Sequence, residues 1–198
     1  LEGVDIRYNT TVTKEMIETE FKDYEIITTV GATPKEIEAY KVFKQTMTAD
    51  DILSGKKFPG RKIVIIGGGS VGCETADYLA PLINDLFSTN RDITLIEMTN
   101  GLMTGESGAT KSLLTRRMME KGVKIELNSK ITYVDETTIK YEKNNQEYVL
   151  NDVDTLVFAV GYQPISSPIE NAHLIGDCQK VGTLKDAITQ AYQITKEI

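Results

Sequence analysis

Cysteine is scarce in this chain: only Cys73 and Cys178 occur, far apart and without a CxxC pair, so neither a zinc knuckle nor a dithiol redox centre can be assembled from it. Histidine is scarcer still. His173 is the only one and has no neighbouring ligand residues, which leaves no metal site and gives it a packing role ahead of a Gly-Asp turn. Long apolar runs are missing too. Ile63 to Ile66 and Thr155 to Val160 are strand-length, far short of the roughly 20 residues that span a bilayer, so no membrane segment is expected. Positive charge is in deficit, with Lys+Arg 22 against Asp+Glu 29, a net charge of −7 and a pI near 4.9. Such a surface repels phosphate backbones and gives no reason to expect a nucleic-acid partner, although a nucleotide can still bind locally. There is no signal-peptide pattern, and the few thiols fit a reducing, cytoplasmic setting. The chain opens without methionine, at Leu1-Glu-Gly-Val-Asp-Ile-Arg-Tyr, and reads as a trimmed fragment.

What is present is the composition of a globular α/β protein: 40% hydrophobic and 26% charged residues with Gly 15 and Pro 5 over 198 residues, enough to bury a core in one or two domains. The first part predicts a strand near Val4 to Tyr8, a helix around Lys14 to Phe21 and a strand at Tyr24 to Val30, closed by Gly31-Ala32-Thr33-Pro34. Residues 35–62 are polar, with a helix cap at Thr48 and breakers at Gly55, Pro59 and Gly60, and read as a linker.

From Lys62 the pattern sharpens. Ile63-Val64-Ile65-Ile66 is wholly apolar and β-branched, as a parallel strand buried on both faces requires. After the glycines that follow it, Cys73 to Phe87 predicts a helix kinked at Pro81, Ile93 to Ile96 a buried strand, and Ala109 to Lys121 a helix ended by Gly122. Val123, Ile125 and Leu127 give a further strand. Then Ile131 to Val134, Thr138 to Glu142 and Tyr148 to Leu150 alternate apolar and polar around an Asn144-Asn145 turn, the pattern of an antiparallel meander. Thr155 to Val160 is another buried strand ending at Gly161, and a short strand at His173 to Ile175 precedes a last helix with Leu184, Ala187, Ile188, Ala191 and Ile194 on one face. Lys121, Lys124 and Lys130 read as solvated surface.

The glycines carry the functional signal. Gly67-Gly68-Gly69-Ser70-Val71-Gly72 fits GxGxxG, a pattern that alone means little. Here it follows a buried strand, opens a helix, and is followed about 25 residues after Gly72 by Glu97 at the end of the next strand, the arrangement of a dinucleotide-binding turn. Gly67 permits the sharp turn, Gly69 lets backbone approach a pyrophosphate, and Gly72 lets helix and strand pack closely. The helix N-terminus faces the anion with free N–H groups and a positive dipole end. Glu97 accepts the adenosine ribose hydroxyls and opposes a 2′-phosphate, which favours NAD(H) over NADP(H). Met98 and Thr99 come next, and the nearest arginine, Arg91, precedes the strand and is badly placed to neutralise an extra phosphate. The competing reading is a tight strand-to-helix turn with no ligand. Cys73, at the helix start, reads as a small buried residue rather than an activated thiol.

With these features in place, Ala159-Val160-Gly161-Tyr162-Gln163-Pro164 and the ending His173-Leu174-Ile175-Gly176-Asp177-Cys178, Gly182-Thr183-Leu184-Lys185-Asp186-Ala187-Ile188 and Ala191-Tyr192 are similar to a known family. The chain resembles the NAD-binding region of the old-yellow-enzyme-related NADH:flavin oxidoreductases of 2,4-dienoyl-CoA reductase and 2-enoate reductase type, flavoproteins with a pyridine nucleotide-disulfide reductase-like pair of dinucleotide domains. The resemblance implies an α/β fold: a Rossmann-like parallel sheet with an antiparallel β-meander, inserted in a truncated second Rossmann-like, FAD-type domain. On that reading residues 1–50 are an FAD-domain remnant, 51–61 a linker, 62–161 the NAD(H)-binding domain and 162–198 the returning FAD-domain remnant.

The same resemblance implies NAD(H) contacts from Gly67, Gly68, Gly69, Ser70, Val71, Gly72, Glu97, Met98, Val160 and Gly161, and FAD contacts in the parent enzyme from Gly31, Gly176 and Asp177. Asp177 matches the aspartate that bonds the flavin ribitol, against the plainer role of a helix cap or Asx-turn; Thr29-Val30 stands where Ala-Thr is usual beside Gly31. In the parent, hydride passes from nicotinamide C4 to flavin N5 with no protein residue acting as a catalyst, and electrons go on to a barrel with FMN and an iron-sulfur cluster. The partners implied are NADH and the rest of the parent enzyme, and an oligomer is compatible with the sequence. Since the glycine turn of an FAD domain is missing, the fragment is expected not to retain FAD and to turn over little. The other functional class is a structural module that holds ADP or nothing.

Overall fold

The computed structural model describes residues 3–80 and 90–198. They divide into two compact units, one holding residues up to Ala32 together with Gln163–Ile198, the other Thr33–Tyr162. In chain order the first unit opens without a strand: residues 4–7 have no regular secondary structure, Tyr8 lies in a turn, and Val4, Ile6 and Tyr8 of the expected Val4 to Tyr8 strand are exposed. Helix α1 (Lys14–Thr19) starts where the Thr13 hydroxyl accepts the Met16 N–H at 3.2 Å. The strand predicted over Tyr24 to Val30 is only β1 (Ile27–Thr28), and the chain passes into the second unit within β2 (Ala32–Pro34).

Residues 33–61, read from the sequence as remnant and linker, belong to the second unit. Strand β3 (Thr46–Thr48) hydrogen-bonds into the main sheet, and α2 (Ala49–Leu53) follows directly, fixed by a reciprocal capping box between Thr48 and Asp51. The physical reason is burial: Phe43, Met47, Ala49 and Ile52 are each under 5% exposed, and a linker would leave them in water.

The centre of this unit is a five-stranded sheet. It contains β4 (Lys62–Ile66), β5 (Asp92–Ile96), β6 (Lys124–Glu126) and β10 (Thr155–Phe158) in the order β3-β10-β4-β5-β6, every pair parallel. Helices α3 (Ser70–Leu79) and α4 (Gly108–Glu120) pack on one another beside it. The remainder of the helix predicted to Phe87, with its Pro81 kink, lies outside the described residues. Between α4 and β10 runs the three-stranded antiparallel meander of β7 (Ser129–Val134), β8 (Ile139–Lys143) and β9 (Gln146–Leu150). Asn144 and Asn145 turn it with φ of 53° and 60°, the left-handed pair a two-residue hairpin needs.

Alternation along β4 explains the apolar run from Ile63 to Ile66. Ile63 and Ile65 pack with Cys73, Ala76, Leu79, Leu114 and Met118 on the helical side, whereas Val64 and Ile66 pack with Ile131, Ile139 and Tyr141 on the meander side. Successive strand residues face opposite ways, so a sheet covered on both faces demands apolar residues at every position. Each such side chain, fully buried, contributes about 1.5–3 kcal/mol. One buried polar cluster fastens the helices: Asp77 of α3 receives the Arg117 guanidinium through two hydrogen bonds and Lys121 Nζ at 3.0 Å. Lys121 is thus not solvated surface; its side chain is 12% exposed.

The chain returns to the first unit within β11 (Tyr162–Pro164). There β12 (His173–Leu174) pairs in parallel with β1, and α5 (Leu184–Ile194) closes the chain behind a Thr183/Asp186 capping box. Leu184 and Ile188 on its apolar face are exposed. No helix among the described residues is long and apolar enough to cross a membrane.

Candidate functional site

The C-terminal end of β4 is where the sheet meets the glycine turn. Gly67 has φ of +105°, and a Cβ there would fall 2.4 Å from the Ala159 carbonyl oxygen on the neighbouring strand's end. At Gly72 a Cβ would lie 2.0 Å from the Gly67 oxygen and 3.2 Å from the Ala159 methyl. These two glycines are required by the fold. Gly68 is closed off by Leu102 and Glu97. Gly69 differs from all three: a Cβ on it would meet nothing within 4 Å, so its backbone faces open space. The turn therefore offers a bare, approachable stretch of backbone at the position where GxGxxG turns receive a diphosphate.

Gly69 is also the cap of α3, and it supplies no side-chain hydrogen bond, nor is there an acid in the first turn. The first N–H groups of this helix lack intrahelical partners and carry the positive end of its dipole. Ser70 is the first helical residue, with its hydroxyl donating to Glu106 at 2.7 Å; Val71 turns inward against the core.

Glu97 stands at the end of β5, and its carboxylate reaches the turn. One oxygen accepts the Gly68 N–H at 2.6 Å and the other the Thr99 N–H at 2.7 Å. Partial burial pushes this carboxyl upward, but the backbone donors of Gly68 and Thr99 outweigh it and hold the group below the usual carboxylate range. It is anionic at neutral pH. Two oxygens with about four acceptor positions leave lone pairs free beyond the two backbone bonds. Met98, next to it, is 69% exposed. Arg91 donates to the Leu79 carbonyl at 3.3 Å, at the far end of α3 from the turn.

Val160 and Gly161 follow β10, which lies beside β4; Ala159 and the Val160 nitrogen lie against Gly67, and Gly161 is next in the chain. Gly161 has φ of +91° and its carbonyl accepts the Lys35 N–H at 2.9 Å. Sequence reasoning missed three neighbours. Ala159 must be small for Gly72 to fit, and its carbonyl sits against Gly67; Met103, 1% exposed, donates its N–H to the Gly68 oxygen at 2.7 Å; and Glu106 reaches Ser70. The length of the loop after Glu97 was the only available hint.

Cys73 is fully buried beneath the turn, and burial, helped by Glu97 and Glu74, pushes its thiol up to about 12. It is no nucleophile. In the other unit, Gly31, Gly176 and Asp177 line one cleft of about 340 Å³ together with Thr29 and Thr183. Gly31 and Gly176 have φ of +80° and +70°, and Asp177 accepts the Gly182 N–H at 3.1 Å, closing the loop ahead of α5. His173 contacts Glu25 at 3.2 Å, and no group of three or more metal-binding side chains exists among the described residues.

A family model described as pyridine nucleotide-disulphide oxidoreductase matches residues 2–190. The chain belongs to this family. It is 31% identical to the cinnamate reductase of Clostridium sporogenes over 209 residues, covering 99% of this chain and 30% of the relative. It is 25% identical to the NADH oxidase of Thermoanaerobacter brockii over 210 residues, covering 99% of this chain and 31% of that protein. Among solved structures, 2-naphthoyl-CoA reductase in complex with 2-naphthoyl-CoA superposes with a TM-score of 0.76 at 22% identity, over 99% of this chain and 30% of that one. The chain spans about a third of the length of these relatives. The family match and the superposition agree with the pyridine nucleotide-disulfide reductase-like fold that the glycine turn, the meander and the Gly-Asp ending imply.

Proposed function

We propose that this chain is the NAD(H)-binding portion of a flavin-dependent oxidoreductase that passes hydride from NADH to FAD, for reduction of an enoate- or enoyl-type substrate in a separate barrel domain of the parent enzyme. One observation carries the reading: an anionic carboxylate, Glu97, is held 2.6 Å from a glycine-turn amide, next to a Gly69 backbone with open space over it. Diphosphate and ribose are the two chemistries these groups fit. Gly67 to Gly72 form the cradle, Glu97 takes the ribose hydroxyls, and Met98, Val160 and Gly161 border the bound nucleotide.

Charge supports NAD(H) over NADP(H). A unit like charge about 4 Å from a carboxylate costs about 4 kcal/mol near a protein surface, and Arg91 is occupied elsewhere. Gly31, Gly176 and Asp177 fit the FAD side: two glycines in left-handed conformation and a carboxylate line a common cleft. When bound, the two cofactors supply the hydride chemistry; the chain's own residues bind, orient and discriminate. The similarity to cinnamate reductase supports the substrate class, and that to NADH oxidase the electron donor.

Calorimetric titration with NADH, NADPH and ADP tests this. NADH is expected to bind, ADP to compete with it, and NADPH to bind more weakly. Saturable ADP binding with no protection from the nicotinamide half would instead assign the structural nucleotide-binding module.

A further inference from the structure

Helices α1, α2, α4 and α5 each begin on a Ser or Thr that accepts a backbone N–H: Thr13, Thr48, Ser107 and Thr183. Helix α3 begins on Gly69 and has no such cap. Its acid comes from outside the helix. Glu106, on the loop between β5 and α4, takes the hydrogen of the Ser70 hydroxyl at 2.7 Å.

The loop is built to deliver that carboxylate. Leu102 and Met103 are buried at 5% and 1% exposure, and Met103 is tied to the glycine turn through its N–H and the Gly68 oxygen. Met103 holds φ of 48° and Gly105 φ of 99°, which reverses the chain, and Glu106 N–H returns to the Met103 carbonyl at 3.1 Å. One residue further on, Ser107 caps α4. Glu106 is therefore held between two anchors while its side chain remains exposed.

We propose that Glu106 is a displaceable counter-ion for the α3 N-terminus, a specificity-determining residue that the diphosphate of an incoming nucleotide must push aside. This inference rests on the dinucleotide reading above. Glu106 bonds the Ser70 hydroxyl and none of the α3 N–H groups; a carboxylate beside a helix start is favoured by the dipole and repels a second anion arriving at the neighbouring N–H groups. Binding of a diphosphate then breaks the Glu106–Ser70 bond and frees the Ser70 hydroxyl to donate to a phosphate oxygen. The carboxylate weakens anionic ligands in proportion to their phosphate charge and leaves uncharged ones untouched.

The test is Glu106→Gln on the whole chain, since glutamine keeps an acceptor for Ser70 and removes only the charge. Affinity for NADH and ADP should rise about three- to tenfold at low salt, and the gain should shrink toward unity at high ionic strength. Adenosine, which has no phosphate, should bind both proteins alike. Equal NADH affinity in the two proteins, or an adenosine gain matching that of ADP, overturns the inference while the dinucleotide reading stands. No saturable NADH or ADP binding by either protein overturns both.

Discussion

Glu97 holds the Gly68 amide at 2.6 Å, so the carboxylate that ends β5 and the glycine turn that ends β4 are one hydrogen-bonded unit. This couples the site to the fold. The folded carboxyl titrates below its ordinary value because two backbone donors favour the anion over the opposing effect of burial. Its stabilising contribution is complete above the ordinary carboxylate range and is lost as pH falls through the lower, folded value. Acid unfolding followed by circular dichroism should therefore show a shallower pH dependence in Glu97→Gln than in the parent chain. In the same variant the preference for NADH over NADPH should narrow, because the charge that opposes a 2′-phosphate is gone.

Gly69 and Gly72 should separate binding from folding. Alanine at Gly72 places a methyl 2.0 Å from the Gly67 oxygen, inside a contact between backbone atoms that cannot yield. Overpacking of this kind costs about 1–3 kcal/mol or more, visible as a lower urea midpoint. Alanine at Gly69, with φ of −67° and nothing within 4 Å, meets no clash and should cost only the loss of a helix-cap glycine, about 1 kcal/mol or less, a smaller fall in midpoint than for Gly72→Ala. Its methyl would stand where the diphosphate approaches, and NADH affinity should fall by about tenfold or more, about 1.4 kcal/mol. Unchanged affinity in Gly69→Ala would refute the placement of the diphosphate.

The Asp77 cluster predicts an order of stabilities. Its carboxylate is pushed up by burial and, more strongly, down by Arg117 and Lys121, with side-chain exposure of 10% for Asp77, 12% for Lys121 and 50% for Arg117. Asp77→Ala removes the counter-charge of the nearly buried Lys121 ammonium, leaving it only the residue-77 carbonyl it already meets at 2.8 Å, and should cost about 3 kcal/mol. Arg117→Ala removes a half-solvated partner and should cost clearly less than Asp77→Ala. Equal losses in urea denaturation would show that the cluster does not bear on stability as its burial implies.

Much of this was legible in the sequence wherever burial forces a pattern. The Ile63 to Ile66 stretch of β4 had to be apolar at every position because helices cover one face and the meander the other, and the glycine turn was legible because Gly67 and Gly72 leave no space for a side chain. Residues 33–61 were misread because β3 is three residues long and polar at both ends; what makes it a strand is its pairing with β10 about a hundred residues away. Alternation misled at Val4, Ile6 and Tyr8, where a period of two exists with no described strand to pair against. Glu106 had no sequence signature, since its reach to Ser70 depends on the left-handed backbone of Met103.

Cys73 yields the last prediction, and its sign runs opposite to that of Glu97. The folded thiol titrates at about 12 because burial penalises the thiolate, while an exposed thiol titrates near 9.0. Below pH 9 both states keep the proton and the group has no pH-dependent effect. As pH climbs from about 9 toward 12 the unfolded chain ionises and the folded chain does not, so stability drops by up to about 1.4 kcal/mol for each pH unit in that window. Cys73→Ala should flatten this decline between pH 9 and 10, measured by urea midpoints, at the cost of a small packing loss. In the native chain a thiol reagent should find Cys73 unreactive at pH 8, with full reaction only after unfolding. Rapid native labelling of Cys73 at that pH would mean that the floor of the glycine turn opens to solvent, and the close packing of Gly72 on Ala159 would then have to be given up.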